Sequence, residues 1–145
     1  MEKNELRIGV VGYTTQDFDK DKALELIKET YDFLDKRYEG LSKVVVSGLT
    51  NIGMSAIAYQ EAVDRGWKTV GIACSKAKNM DWFPVDKHII TGDKWGEESS
   101  LFLNSIDLLV RIGGGKQSIT ETIKMKKMGK PVYEHNLEGV VNESK

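Results

Sequence analysis

The sequence contains little cysteine or proline, and both shortages narrow the choice of protein class. Its 145 residues include one cysteine, Cys74, so no disulfide can form within the chain and a reducing compartment is expected. Cys74 closes an apolar run, which favours a buried structural thiol over a nucleophile. With two prolines, no internal repeat and no low-complexity segment, the sequence predicts a single domain over residues 1–145.

An excess of positive charge is also missing. The 21 basic residues are balanced by 22 acidic ones, giving a formal net charge of −1, whereas nucleic-acid-binding domains are usually basic. No apolar stretch approaches the length of a membrane span, and the charged first residues do not form a secretion signal. We therefore expect a cytoplasmic protein that binds neither nucleic acid nor membrane.

The sequence also lacks histidine, cysteine and carboxylate residues at the spacing that is typical of metal sites. His88 and His135 lie far apart in the sequence, and neither has a carboxylate or cysteine at a typical ligand spacing. We expect no metal site and no resident cofactor.

Short apolar strands alternate with helical patterns along the chain. Strands are predicted over residues 6–11, 43–47, 69–73, 87–91, 107–112 and 132–135, and helices over 19–38, 52–65, 95–106 and 118–128. The strands are apolar throughout, which is typical of a parallel sheet covered on both faces. The predicted fold class is α/β, with a doubly wound, mostly parallel sheet and helices on both faces (Rossmann-like).

Two glycine-rich loops follow predicted strands and open predicted helices. The first runs from Ser47 to Met54, and the second from Ile112 to Ser118. A strand that ends in glycines before a helix presents unpaired backbone N–H groups and the positive end of a helix dipole. Such an edge binds phosphates and other anions, so these loops predict a ligand site.

The first loop resembles a phosphate-binding P-loop but lacks its cation. Gly48 and Gly53 have the spacing of that motif, but Met54 occupies the position of the lysine, which argues against triphosphate hydrolysis of that type. The Gly-x-Gly-x-x-Gly dinucleotide motif is absent, which argues against an NAD-dependent dehydrogenase. The glycines serve either a tight turn or a ligand, and the predicted binding residues here are Gly48, Leu49, Thr50, Asn51, Gly53 and Met54.

The second loop carries three consecutive glycines, which are costly in chain entropy and more than a turn needs. We expect Gly113, Gly114 and Gly115 to let a phosphate or sugar approach the backbone closely. Lys116 follows them. Ser118 and Glu121 are predicted to bind ligand, although Ser-x-x-Glu also fits a helix capping box.

A shorter loop follows the first predicted strand. Gly12, Tyr13 and Thr14 either supply a hydroxyl and an aromatic face to a ligand or form an ordinary β–α connection.

These loops, in this order, resemble the SLOG superfamily of nucleotide-binding proteins, which includes the LOG ("lysine decarboxylase-like") phosphoribohydrolases. The resemblance runs over residues 8–14, 47–58 and 107–121. The family motif Pro-Gly-Gly-x-Gly-Thr-x-x-Glu reads here Gly-Gly-Gly-Lys-Gln-Ser-Ile-Thr-Glu over residues 113–121, so the proline, one glycine and the threonine are changed. The resemblance implies a Rossmann-like fold, a nucleotide-type ligand and a homodimer.

One difference from the LOG enzymes bears on catalysis. They carry an arginine on the helix before the last motif, and alignment through Asn104 puts Glu97 at that position. This charge reversal disfavours cleavage, so the leading hypothesis is a sensor, carrier or sequestering module. One alternative is an N-glycosidic-bond-cleaving enzyme with Glu121 as the catalytic residue and Lys116 or Lys94 as the cation. The other alternative is a degenerate oligomeric scaffold.

In the leading hypothesis, the ligand phosphate rests on the N–H groups of residues 48–51 and 113–115. Thr14 and Ser118 donate hydroxyl protons, and Glu121 accepts from a ribose hydroxyl. The predicted helix over residues 95–106 is apolar on more than one face, which suggests a dimer interface. Its apolar residues are Trp95, Leu101, Phe102, Leu103 and Ile106.

Overall fold

Six parallel strands form one sheet in the computed structural model, which describes residues 4–140. The strand order is β4-β3-β2-β1-β5-β6, and each pair of neighbouring strands is parallel. The predicted doubly wound parallel sheet is therefore confirmed. The strands are β1 (Glu5–Gly12), β2 (Ser42–Ser47), β3 (Lys68–Ala73), β4 (Lys87–Ile90), β5 (Leu108–Ile112) and β6 (Val132–His135).

Helices cover both faces of the sheet, two on each. They are α1 (Lys20–Arg37), α2 (Gly53–Asp64), α3 (Ser99–Ser105) and α4 (Lys116–Lys127), and a 3-10 turn spans Ser75–Asn79. Ile27 of α1 and Tyr59 of α2 belong to one buried cluster, whereas Phe102 of α3 and Met125 of α4 belong to another. Within the described part of the chain, no helix is long and apolar enough to cross a lipid bilayer.

The first helix follows its local sequence signals closely. Asp19 caps α1, because its carboxylate accepts a hydrogen bond from the Lys22 N–H at 3.0 Å. Tyr38 is the C-cap of α1, and Gly40 then adopts a φ of 92°, a left-handed conformation that favours glycine. The predicted bounds of this helix are confirmed.

The order of the strands reverses direction at β1. The chain adds β2, β3 and β4 on one side of β1, and then crosses over to add β5 and β6 on the other side. The loops after β1 and β5 therefore leave the sheet next to each other and lead to helices on opposite faces. In open α/β sheets, a ligand crevice lies at such a switch point.

Helix α2 begins without a side-chain cap. Thr50 and Asn51 are residue types that cap helices, but the N-cap is Ile52 and makes no side-chain cap bond. Thr50 instead forms a β-bridge with Trp82, and the Asn51 N–H donates to Asp81 O at 2.9 Å. The loop is thus tied to a distant segment that local sequence signals do not reveal.

The alternative role of Ser118 and Glu121, a capping box at the start of α4, is wrong. The N-cap is Gly115, without a side-chain cap bond, and the helix begins at Lys116. Gly113 and Gly114 have φ values of 62° and 99°, so they complete the turn within two residues. Because the helix is already formed at Ser118, this side chain no longer occupies a capping position.

Helix α3 is shorter than the predicted span of residues 95–106. Gly96 has a φ of 100°, and the Glu97 carboxylate accepts from the Asp93 and Lys94 N–H groups at 2.7 and 3.1 Å. These bonds close a turn before the helix begins. Apolar composition alone did not distinguish this turn from a helix.

The apolar face assigned to this segment is mostly internal. Phe102, Leu103 and Ile106 are buried in the core of the chain itself, whereas Trp95 and Leu101 are exposed. Of the five apolar residues that suggested a dimer interface, Phe102 therefore belongs to the core and not to the surface. Its ring fills the space that Gly9 leaves open on β1.

Gly9 provides a test of this packing. A methyl group at Gly9 would lie 3.1 Å from Phe102 Cζ and from Ile106 Cγ2. We expect Gly9→Ala to lower the free energy of unfolding by about 1–3 kcal/mol, which is typical of an overfilled core, as measured by urea denaturation. Gly48→Ala is the control, because a methyl group there would meet only Ser55 Oγ, at an ordinary contact distance of 3.6 Å. Equal stability of the two variants would contradict this description of α3.

Candidate functional site

A cavity of about 570 Å³ lies at the carboxyl ends of the strands. Its walls are the loops after β1, β2 and β5, the end of β3 and the first turns of α2, α3 and α4. The two glycine-rich loops and the shorter loop after β1 therefore meet at one edge of the sheet. Ten of the predicted binding residues line the cavity: Gly12, Tyr13, Thr14, Gly48, Leu49, Thr50, Gly115, Lys116, Ser118 and Glu121.

Five predicted residues do not line it, and two of them, Gly53 and Met54, hold the β1 and β2 loops together. The Met54 N–H donates to Tyr13 O at 2.8 Å, and its side chain is buried. Gly53 has a φ of 65° and packs against the same carbonyl group. Asn51 is anchored to Asp81 O and is also outside the lining set.

The three consecutive glycines divide into two roles. A Cβ at Gly113 would lie 2.6 Å from Tyr13 Cε2, and one at Gly114 would lie 2.6 Å from Ser118 Cβ. These two residues, which do not line the cavity, thus serve the turn and close packing. Gly115 lines the cavity, and a side chain there would meet no protein atom within 4 Å. The expected close approach by a ligand therefore applies to Gly115.

The first turn of α4 offers hydrogen-bond donors to the cavity. Its first intrahelical bond runs from the Ile119 N–H to Gly115 O at 3.1 Å. The N–H groups of Lys116, Gln117 and Ser118 precede this bond, and no side chain caps the helix. Because all three residues line the cavity, this turn is suited to an anion.

Two serines on the wall opposite the start of α4 are hydrogen-bonded to each other. Ser47 Oγ donates to Val10 O at 2.7 Å and lies 2.7 Å from Ser55 Oγ. Both serines line the cavity, and neither was assigned to the site from the sequence. Ser55 had a signal, because it occupies the Ser/Thr position of the P-loop spacing.

The cavity also contains two carboxylates. Glu121 is 5% exposed and accepts from Ser99 Oγ at 2.7 Å. Burial raises the pKa of Glu121, while hydrogen bonds from Ser99 and Gln117 oppose this shift and the nearby Glu98 carboxylate adds to it. Glu98 accepts from the Gly96 N–H at 2.9 Å and is 3.4 Å from the Gln117 amide nitrogen.

The position of Glu97 differs from the expectation. Its carboxylate points into the turn before α3, where the Asp93 and Lys94 N–H groups lower its pKa, and it does not line the cavity. Glu98, which follows it, lines the cavity together with Glu121. The sequence alone could not give the direction of the Glu97 side chain.

Trp95, Phe102 and Gln117 are further lining residues that the sequence did not assign to the site. Trp95 is half exposed at the rim, whereas Phe102 is buried. Among the lining residues that the structure describes, Lys116 is the one cation. Residues 4–140 contain no group of three or more His, Cys, Asp or Glu side chains that could hold a metal ion, and Cys74 is buried and free.

Comparison with solved structures identifies relatives of this fold. The molybdenum cofactor carrier protein of Chlamydomonas reinhardtii is 24% identical with a TM-score of 0.70, over 90% of this chain and 76% of that one. The molybdenum cofactor binding protein of the phototrophic bacterium Rippkaea orientalis is 26% identical with a TM-score of 0.74, over 91% and 77%. The structural genomics target TM1055 is 23% identical with a TM-score of 0.69, over 88% and 72%.

These likenesses confirm the Rossmann-like fold predicted from the SLOG resemblance. No protein-family model matches the chain, and comparison with curated proteins finds no match.

The raised pKa of Glu121 leads to a pH-dependent prediction. The folded carboxyl group releases its proton at a higher pH than the unfolded one, so its contribution to stability is present at low pH and is lost as the pH rises. Glu121→Gln cannot ionise. We therefore expect the melting temperature of Glu121→Gln, relative to the wild type, to increase from about pH 4 to about pH 7.

Glu25→Gln is the control, because that carboxylate lies on the surface of α1 in an exposed pair with Lys22. Its melting temperature relative to the wild type should change little with pH. A difference between Glu121→Gln and the wild type that stays constant over this range would contradict the burial argument.

Proposed function

We propose that this protein is a small-molecule carrier that holds a phosphorylated heterocyclic cofactor of the molybdenum cofactor class in the cavity at the strand ends. The observation that carries the proposal is the cavity itself, which combines an uncapped helix start with side-chain oxygens on the opposite wall. Structural likeness to two molybdenum cofactor carrier or binding proteins supports this ligand class. A nucleotide has the same two parts, a phosphate and a nitrogen heterocycle.

The phosphate is assigned to the start of α4. There the N–H groups of Lys116, Gln117 and Ser118 and the positive end of the helix dipole favour an anion. Gly115 lets the phosphate oxygens approach the backbone, because it has no side chain in the way. The Lys116 ammonium group adds a positive charge at this end of the cavity.

The heterocycle is assigned to the remainder of the cavity. A volume of about 570 Å³ lies within the range of small-molecule sites. Trp95 and Phe102 supply aromatic surface, and Ser55 and Glu121 supply polar contacts. The molybdenum cofactor is a phosphorylated pterin, so both of its organic parts have a matching wall, and the metal is carried as part of the cargo.

A carrier role agrees better with the wall chemistry than N-glycosidic cleavage does. The LOG motif pairs its glutamate with an arginine, and no arginine is among the described lining residues. The Glu121 carboxylate is held by Ser99 instead. We therefore assign binding without turnover to this site.

The proposal includes a cytoplasmic homodimer. The exposed side chains of Trp95 and Leu101 offer a contact surface beside the cavity rim. In such a dimer, the partner would cover Trp95 and restrict access to the site.

A bulky side chain at Gly115 tests this function. We expect Gly115→Val to weaken retention of the molybdenum cofactor at least tenfold, because the added methyl groups occupy the approach to the first turn of α4. The protein is incubated anaerobically with the isolated cofactor and passed through a desalting column, and bound molybdenum is then measured by mass spectrometry.

Thr120→Val is the matched control. It introduces the same residue at an exposed position of α4, the helix that Gly115 precedes. This position does not line the cavity, so the variant should retain as much molybdenum as the wild type. A wild-type protein that retains no molybdenum, or a Gly115→Val variant that retains the wild-type amount, would refute the proposed function.

A further inference from the structure

The hydroxyl protons in one wall of the cavity are already engaged by protein acceptors. Ser47 Oγ lies 2.7 Å from Val10 O, and a carbonyl oxygen can only accept, so the Ser47 proton is used there. Ser55 Oγ lies 2.7 Å from Ser47 Oγ. Since Ser47 has no second proton, Ser55 must be the donor in that bond. Ser55 therefore presents lone pairs, and not a proton, to the cavity.

The hydroxyl protons of the serines near α3 and α4 are also donated to protein acceptors. Ser99 Oγ donates its proton to Glu121 Oε2 at 2.7 Å, and Ser118 Oγ donates to Gly12 O at 3.3 Å. An ionised carboxylate has about four acceptor positions, so the bonds to Glu121 leave acceptor capacity unused.

The charges of the lining side chains also favour a hydrogen-bond donor over a second anion. The ionisable acidic and basic side chains of its described lining are Lys116, Glu98 and Glu121, so negative charge exceeds positive charge by one. The N–H groups of α4 favour an anion, and the two carboxylates disfavour a second one. The walls at Ser55 and Glu121 thus suit a neutral group that donates hydrogen bonds.

We infer that Ser55 on one side of the cavity, and Glu98 and Glu121 on the side of α3 and α4, form a set of hydrogen-bond acceptors, here called the acceptor wall. This set selects ligands whose heterocycle presents N–H donors, such as an amino group beside a ring N–H. This inference rests on the proposed function for the location of the phosphate. It narrows the ligand class from any phosphorylated heterocycle to an amino-substituted one. Acceptors placed in a site select strongly for donors, because a ligand without the donor leaves a desolvated acceptor unpaired.

Guanosine 5′-monophosphate and inosine 5′-monophosphate test the inference, since they differ by one exocyclic amino group. Isothermal titration calorimetry should give a dissociation constant at least tenfold lower for the guanosine compound with the wild-type protein. Equal dissociation constants, or no binding of either compound, would overturn the inference.

Glu121→Gln distinguishes hydrogen-bond acceptance from simple repulsion. The glutamine keeps the shape but replaces one acceptor oxygen with a donor, so the preference for the guanosine compound should fall to about twofold or less. If the carboxylate merely repels phosphate, Glu121→Gln would bind both compounds more tightly by the same factor, which would contradict the inference. Ser55→Ala provides a second variant, which should also lower the preference, and Glu25→Gln should keep it.

The two proposals can fail separately. A wild-type protein that prefers the guanosine compound but retains no molybdenum cofactor supports the acceptor wall and contradicts the carrier function. Retention of the cofactor without any preference between the two nucleotides contradicts the acceptor wall alone.

Discussion

The close approach of three backbone segments around Gly12 and Tyr13 determines the shape of the site. A Cβ at Gly12 would lie 2.6 Å from Ile112 O and 2.7 Å from Met54 Cβ, so β1 has β5 on one side and α2 directly against it. Gly53 and Gly113 pack against Tyr13 from two directions. Because these contacts leave no room for side chains, the loops after β1, β2 and β5 are fixed relative to one another.

The outer side of the β1 loop is held by the segment after β6. Tyr13 Oη donates to Leu137 O at 2.8 Å, and the Gln16 amide donates to Val140 O at 2.8 Å. The Val140 N–H in turn donates to Asp17 O. The wall formed by residues 13–16 is thus supported from both sides, which favours a preformed site over one that folds around its ligand.

Much of the fold could be predicted from the sequence, because the β-branched runs and the amphipathic pattern of residues 19–38 act locally. The parallel sheet and the meeting of the glycine loops follow from the alternation of strands and helices. The start of α4 could not be predicted in this way, since two positive φ angles at Gly113 and Gly114 let the helix form before Ser118. Those angles depend on contacts with Tyr13 and Gly12, which are distant in the sequence.

The site was predicted in outline, and its chemistry was only partly evident. Backbone groups at Gly48 and Gly115 follow from the motif, but the direction in which a hydroxyl proton points does not. Ser47 and Ser55 show this, because their protons are committed by the carbonyl group of Val10 on a neighbouring strand. Glu98 rather than Glu97 lines the cavity because the turn at Gly96 sets where α3 begins.

Anomalous X-ray scattering from a crystal of the protein grown with the molybdenum cofactor tests the central claim most directly. Data collected on either side of the molybdenum absorption edge locate the metal independently of any interpretation of the ligand density. The account predicts a molybdenum peak inside the cavity bounded by Gly48, Trp95 and Gly115. A peak on the outer surface of the helices, or no peak in crystals whose molybdenum content is confirmed by fluorescence, would contradict it.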